Sequence, residues 1–215
     1  MNVRNAAIGM ACAALALTGC SKEGDLVVQQ GVGISSLRSV CPAVGVPDYT
    51  GDMTLFTGAS RTAAAIDVTA AITNVRTQCN DGGDQVYATA TFDVLASRRD
   101  VSTARTVELP YYSTVMRGGS SVVAKRIGTV TLNFPAGQDR ARATGTAGAY
   151  IDRAEATLPQ DIRERITRRR RAGDQSAAID PLTEPDVRAA VARASFELLI
   201  GFQLTEEQLA YNATR

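Results

Sequence analysis

Residues 85–97 read QVYATATFDVLAS. Val86, Ala88, Ala90, Phe92, Val94 and Ala96 alternate with Gln85, Tyr87, Thr89, Thr91, Asp93 and Ser97. A period of two places one set against a core and the other in water, so this is a half-buried β-strand. Upstream, Ile66, Val68, Ala70 and Ile72 alternate in the same way. The phase then shifts to Val75, Thr77 and Cys79, which predicts a bulge. Asn80-Asp81-Gly82-Gly83-Asp84 joins the two strands as a turn. Downstream, Val107, Leu109 and Tyr111 form another strand, and Pro110 assigns part of it to a sheet edge. Arg117-Gly118-Gly119-Ser120 turns the chain into a strand that reaches Val130, Leu132 and Phe134. Pro135-Ala136-Gly137-Gln138 turns it again. Ala141, Ala143, Gly145, Ala147, Ala149 and Ile151 then alternate with Arg142, Thr144 and Thr146, and such small inward residues imply a close-packed partner layer. About six strands between Thr50 and Arg153 give a mostly β chain, an immunoglobulin-like antiparallel β-sandwich. The chain has no Trp, so the likeness is one of architecture and not of membership.

Beyond Arg153 the pattern turns helical, as an insertion or a C-terminal helical segment. Thr157-x-x-Gln160 with Pro159 resembles a helix start, and Ile162 and Ile166 lie one turn apart. Residues 172–183 read as a loop, and Thr183-Glu184-Pro185-Asp186 opens a second helix with a stripe of Val187, Val191 and Ala194. Phe196, Leu198, Ile200, Phe202 and Leu204 alternate as a strand that would close the sandwich beside residues 141–151; the end of a helix is the other reading. Thr205-Glu206-Glu207-Gln208 is a capping box for a short terminal helix.

The first twenty residues are MNVRNAAIGMACAALALTGC. One positive charge at Arg4, an apolar run from Ala6 to Leu17 and small residues before a cut site describe a secretory signal peptide. The run is too short for a bilayer span, which needs roughly 20 apolar residues. Leu17-Thr18-Gly19-Cys20 resembles the lipobox of bacterial lipoproteins. That resemblance implies cleavage before Cys20, acyl chains on Cys20 and firm anchoring, because two or more chains hold a protein stably. Ser21 in place of Asp favours the outer membrane under the sorting rule of that class. The organisation is then a signal peptide over 1–19, a lipidated terminus and tether over 20–40, and one domain over 41–215 with its helical segment near 157–194. A short strand within the tether around Ile34 to Leu37 is part of this expectation.

The chain has 215 residues, 23 Lys+Arg against 22 Asp+Glu, 45% hydrophobic residues, four Cys and no His. Without His there is no Ser-His-Asp or Cys-His catalyst and no His metal ligand. The balanced charge, and an envelope address, argue against nucleic acid. Removing residues 1–19 and assigning Cys20 to lipid leaves Cys41 and Cys79, a disulfide pair in an oxidising compartment.

Two clusters are candidate contacts. Arg163, Arg165, Arg168, Arg169, Arg170 and Arg171 would meet anionic lipid or polysaccharide, or form a solvated helix face. Tyr87, Tyr111 and Tyr112 would form an aromatic patch for sugar or protein. Asn80, Asp81 and Asp84 lack the ligand spacing of a calcium loop and suit a turn. Asp93, Glu108, Asp152 and Glu155 are the carboxylates from which a His-free hydrolase would draw. No cofactor motif, metal-ligand set or catalytic residue stands out. The sequence therefore reads as a non-catalytic binding or scaffold module, anchored at the outer membrane and facing the periplasm. Its expected partners are an envelope protein, peptidoglycan or lipopolysaccharide. The alternative is an accessory subunit of an envelope assembly or transport machine, with the His-free carboxylate hydrolase behind it.

Overall fold

A computed structural model describes residues 39–168 and 179–214. Cys20, most of the tether, the strand expected near Ile34 and Arg169 to Arg171 lie outside the described residues.

Among the described residues, eight strands form two four-stranded sheets. They are β1 (Ala43–Gly45), β2 (Asp52–Phe56), β3 (Ile66–Asn80), β4 (Gln85–Arg98), β5 (Arg105–Arg117), β6 (Ser121–Phe134), β7 (Arg140–Asp152) and β8 (Phe196–Phe202). One sheet has the order β1-β8-β5-β6 and the other β2-β3-β4-β7. Every pairing is antiparallel except that of β1 with β8. Phe92, Leu109, Leu132, Phe134, Leu198, Ile200 and Phe202 are fully buried in one core fed by both sheets. Burying a side chain of this size stabilises the fold by about 1.5–3 kcal/mol. The small inward face of β7 does what its composition implies. A Cβ at Gly145 would lie 2.2 Å from Phe92 Cζ, so the ring occupies the space that glycine leaves. Phe92 meets the Tyr111 ring of the facing sheet edge-on, 5.1 Å between centroids.

The phase shift in β3 is a bulge. Thr73 pairs with Asp93 and Arg76 with Thr91, so Asn74 and Val75 both oppose Phe92. Asn74 takes φ 51°, a left-handed conformation that Asn tolerates better than most residues. At the β5–β6 turn, Gly118 and Gly119 take φ 63° and 74°, the positive pair that a tight hairpin requires.

Three expectations need correction. Pro110 lies in an internal strand, because β5 pairs with both β6 and β8. Its carbonyl accepts Gln203 N–H at 2.9 Å, and its pairing with β8 begins only at Tyr111. In an antiparallel strand the N–H and C=O of one residue point the same way, so the missing donor falls where the β8 ladder has ended. The strand at 196–202 is confirmed, but it closes the other sheet, beside β5 and not β7. Thr157 does not cap the helix that follows it. Its hydroxyl donates back to Arg153 O at 2.6 Å, and the helix starts after Pro159.

The described residues also form four α-helices: α1 (Arg153–Ala156), α2 (Gln160–Thr167), α3 (Pro185–Ala194) and α4 (Glu206–Thr214). Ile162, Ile166, Val187 and Ala190 form a second, smaller core between α2 and α3. This unit attaches to the β5–β6 turn, where Arg117 Nε donates to Arg193 O at 2.6 Å and Gly118 N to Ser195 O at 2.9 Å. The capping box at Thr205 forms reciprocally: Gln208 N donates to Thr205 Oγ1 and Thr205 N to Gln208 Oε1. Buried Asn212 docks α4, donating to Tyr49 O and Asp52 O at 2.8 Å each. Cys41 and Cys79 form a disulfide, which ties the segment entering β1 to the far end of β3 in the other sheet.

Candidate functional site

The inward residues of β4 fix its other face outward, and the register extends that face across β2, β3 and β7. Cross-strand rows follow from the pairing. Thr54, Thr69, Ser97 and Arg140 form one row, and Asp52, Ala71, Leu95 and Arg142 the next. Then come Thr73-Asp93-Thr144, Arg76-Thr91-Thr146, Gln78-Thr89-Gly148 and Asn80-Tyr87-Tyr150. Adjacent rows two residues apart lie about 7 Å apart.

At one end of this face is a cavity of about 580 Å³. Its apolar floor includes Ala71 and Leu95, and Leu95 is 46% exposed. Thr54, Thr69 and Ser97 bring hydroxyls to it, with Thr69 and Ser97 2.9 Å apart. Arg140 and Arg142 line it from β7. The volume and the mixture of an apolar floor with a few polar groups suit a small ligand or part of a larger one.

Asp93 sits beside that cavity and is buried, which corrects the outward, solvated carboxylate expected from alternation. Its Oδ2 accepts from Asn74 Nδ2 at 2.6 Å and from Arg142 Nη2 at 2.7 Å, and its Oδ1 from Thr144 Oγ1 at 3.2 Å. The bulge supplies the first donor: Asn74, left-handed at φ 51°, brings its amide over Asp93. The Asn74 hydrogen bond, then that of Arg142, hold the Asp93 carboxyl below the usual carboxylate range. A lowered folded-state pKa gives stability that is present above the unfolded value, about 3.9, and is lost as pH falls through the folded one. Asp93→Asn should therefore flatten the fall of thermal midpoint with acidification below about pH 4. Circular-dichroism melts of both proteins across that range check it, and parallel slopes would contradict it.

At the opposite end, Tyr87 stacks on Tyr150, 4.5 Å between centroids at 28°. Tyr87 also lies over Gly148, 3.5 Å from where a Cβ would be. Tyr150 is 63% exposed. The structure thus separates the three tyrosines of the sequence patch. Tyr111 turns inward, donating to Thr146 O at 2.6 Å. Tyr112 lies on the outer face of the other sheet, donating to Thr50 Oγ1 at 3.2 Å with Lys125 over its ring. Tyr87 keeps its outward position but pairs with Tyr150. Sequence reasoning missed that residue, although its even-numbered place beside Thr144 and Thr146 marked it as outward.

The arginine cluster divides. Arg165 is held by Asp186 at 2.5 Å and by Glu184, and these hydrogen bonds, that of Asp186 first, raise its pKa. It clamps α2 to the start of α3. Arg163 lies on the exposed side of α2 and Arg168 ends it. Asn80 Oδ1 accepts Gly82 N at 3.0 Å, as turn chemistry requires. Asp152 caps α1 by accepting Ala154 N, and Glu155 faces Arg117 at 3.5 Å. Asp93 and Asp152 are eight register positions apart on one face, about 27 Å, well outside the separations of paired glycosidase carboxylates. Glu108 is exposed on β5 in the other sheet.

No family model matches the chain, and no curated protein or solved structure is significantly similar to it.

Proposed function

We propose that this chain is a lipid-anchored, non-catalytic binding module of the bacterial cell envelope, held at the outer membrane and facing the periplasm. The observation that carries the binding role is the outer face of the β2-β3-β4-β7 sheet, exposed at Leu95 and Tyr150, with a ligand-sized cavity lined by Arg140, Arg142 and Leu95. The lipobox-like Leu17-Thr18-Gly19-Cys20 carries the anchoring, and the Cys41–Cys79 disulfide suits an oxidising compartment. Its ligand on this reading is an envelope component, with peptidoglycan and lipopolysaccharide the leading classes. The immunoglobulin-like comparison is one of layering: two facing sheets, with a strand order that departs from the immunoglobulin arrangement.

Cys20→Ala in the full chain tests the anchor. Membrane fractionation should move the variant from the sedimenting to the soluble fraction, because acyl chains supply the retention. A variant that still sediments with membranes would remove the basis of this reading.

A second reading, an accessory subunit of an envelope assembly, rests on the edge strand β6. Val122, Val123 and Ile127 are each more than half exposed there. Site-specific crosslinks from Val123 to one defined envelope protein would favour it over the first.

A further inference from the structure

The outer face carries more than the cavity beside Arg142. Next to the Tyr87–Tyr150 stack, a second recess of about 480 Å³ is lined by Arg76, Gln78, Thr89 and Thr91. Arg76 makes no ion pair with another described residue, and the side chains of Gln78, Thr89 and Thr91 make no hydrogen bonds to described residues. From the Tyr150 row to the Arg76 row is about 14 Å, and to the Arg142 row about 27 Å. This face thus presents, in order, an aromatic ring, uncommitted amide and hydroxyl groups, and spaced guanidinium groups.

We propose that this face binds an anionic glycan chain, laid along the strands from Tyr150 toward Arg142. The proposal rests on the preceding reading that the outer face is the ligand site. Each feature answers one part of such a ligand. A sugar ring has an apolar C–H face that stacks on an exposed aromatic body, and Tyr150 offers one ring face with its other side supported by Tyr87. Sugar hydroxyls both donate and accept, as do the amide of Gln78 and the hydroxyls of Thr89 and Thr91. Carboxylate or phosphate substituents match Arg76 and Arg140, with the free N–H groups of Arg142 beyond those that hold Asp93. Asp93, in the middle of the face, is already paired with Arg142; Asp52 lines the cavity and Asp152 lies beyond the Tyr87–Tyr150 row, so the path between them meets no other carboxylate of these rows. Tyr87 also covers the backbone at Gly148, a packing duty that explains its own position. Tyr150, at 63% exposure, is the more open of the two rings.

Binding of the lipidated full chain in detergent micelles to three polymers tests this: polygalacturonate, uncharged dextran and polyglutamate of similar length. Polygalacturonate should bind, weaken with added salt and leave the other two behind. Tyr150→Ala should weaken it about tenfold, the scale of one aromatic contact, while Tyr150→Phe retains it. Arg76→Gln should weaken it and reduce the salt dependence. Hydrogen exchange with the polymer bound should protect β3, β4 and β7. No binding to polygalacturonate overturns the proposal. Equal binding of polyglutamate overturns the glycan assignment while leaving the face as a ligand site, and equal binding of dextran overturns the anionic requirement. Protection confined to other elements overturns the outer-face reading itself.

Discussion

Replacing Cys41 and Cys79 together by Ser is expected to lower the unfolding free energy by about 4 kcal/mol. The two cysteines are 38 positions apart and close a loop that spans β1, β2 and most of β3. In the chain-entropy model, releasing that loop frees the unfolded chain far more than the folded one. For a domain of this size the thermal midpoint should fall by about 10 °C. The native side adds a local effect. β1 is three residues long and, among the described strands, lies at a sheet edge and pairs only with β8. The disulfide anchors the chain two residues before β1 begins. In the double variant, amide exchange should therefore accelerate first in Ala43 to Gly45, ahead of β4. Denaturant melts of the oxidised protein and the Ser variant give the magnitude. A loss below about 1 kcal/mol would mean that the reduced, unfolded chain keeps this loop compact.

The disulfide pairing was legible because the signal-peptide and lipid readings take Cys12 and Cys20 and leave two cysteines, and one pair allows one bond. The strands of β3, β4 and β7 were legible for a different reason. Each has one face in the core and one in solvent, so polarity reports orientation residue by residue. The bulge was legible in the same way, as a slip of phase at Val75. Strand order was not. Alternation in residues 196–202 says that a strand has a buried face, but not which sheet supplies it. Pro110 shows the same limit: a missing N–H excludes a hydrogen bond, yet only the place where β8 stops tells whether one was needed. At the candidate site, the outward set of β4 and β7 was readable, and with it the positions of Tyr87 and Arg142. The burial of Asp93 was not, because it depends on Asn74, nineteen residues away, brought over by the bulge. The split of Tyr111 from Tyr87 likewise follows from their strands lying in different sheets.

Arg98 shows a signal that was present and unread, and it carries the second large effect. It follows Ala96 by two positions, so the alternation that buries Val94 and Ala96 buries Arg98 as well. The structure places it at 5% exposure, and among the described residues no acidic side chain forms an ion pair with it. Its guanidinium donates to three backbone carbonyls instead: Gln138 O at 3.0 Å, Thr103 O at 2.7 Å and Pro135 O at 2.8 Å, and it lies over the Phe134 ring at 5.2 Å. These carbonyls belong to the β4–β5 and β6–β7 connections, so one side chain fastens two crossings at the same end of the sandwich. Arg98→Ala should cost about 3–5 kcal/mol. Hydrogen bonds to a charged donor contribute roughly 1.5–3 kcal/mol each, and water entering the opened end recovers part of the total. Arg98→Lys should recover little, because a single ammonium group cannot span three divergent acceptors as a planar guanidinium does. Urea titrations of the two variants check both magnitudes. A Lys variant as stable as the native protein would show that charge at this position matters and the fork does not.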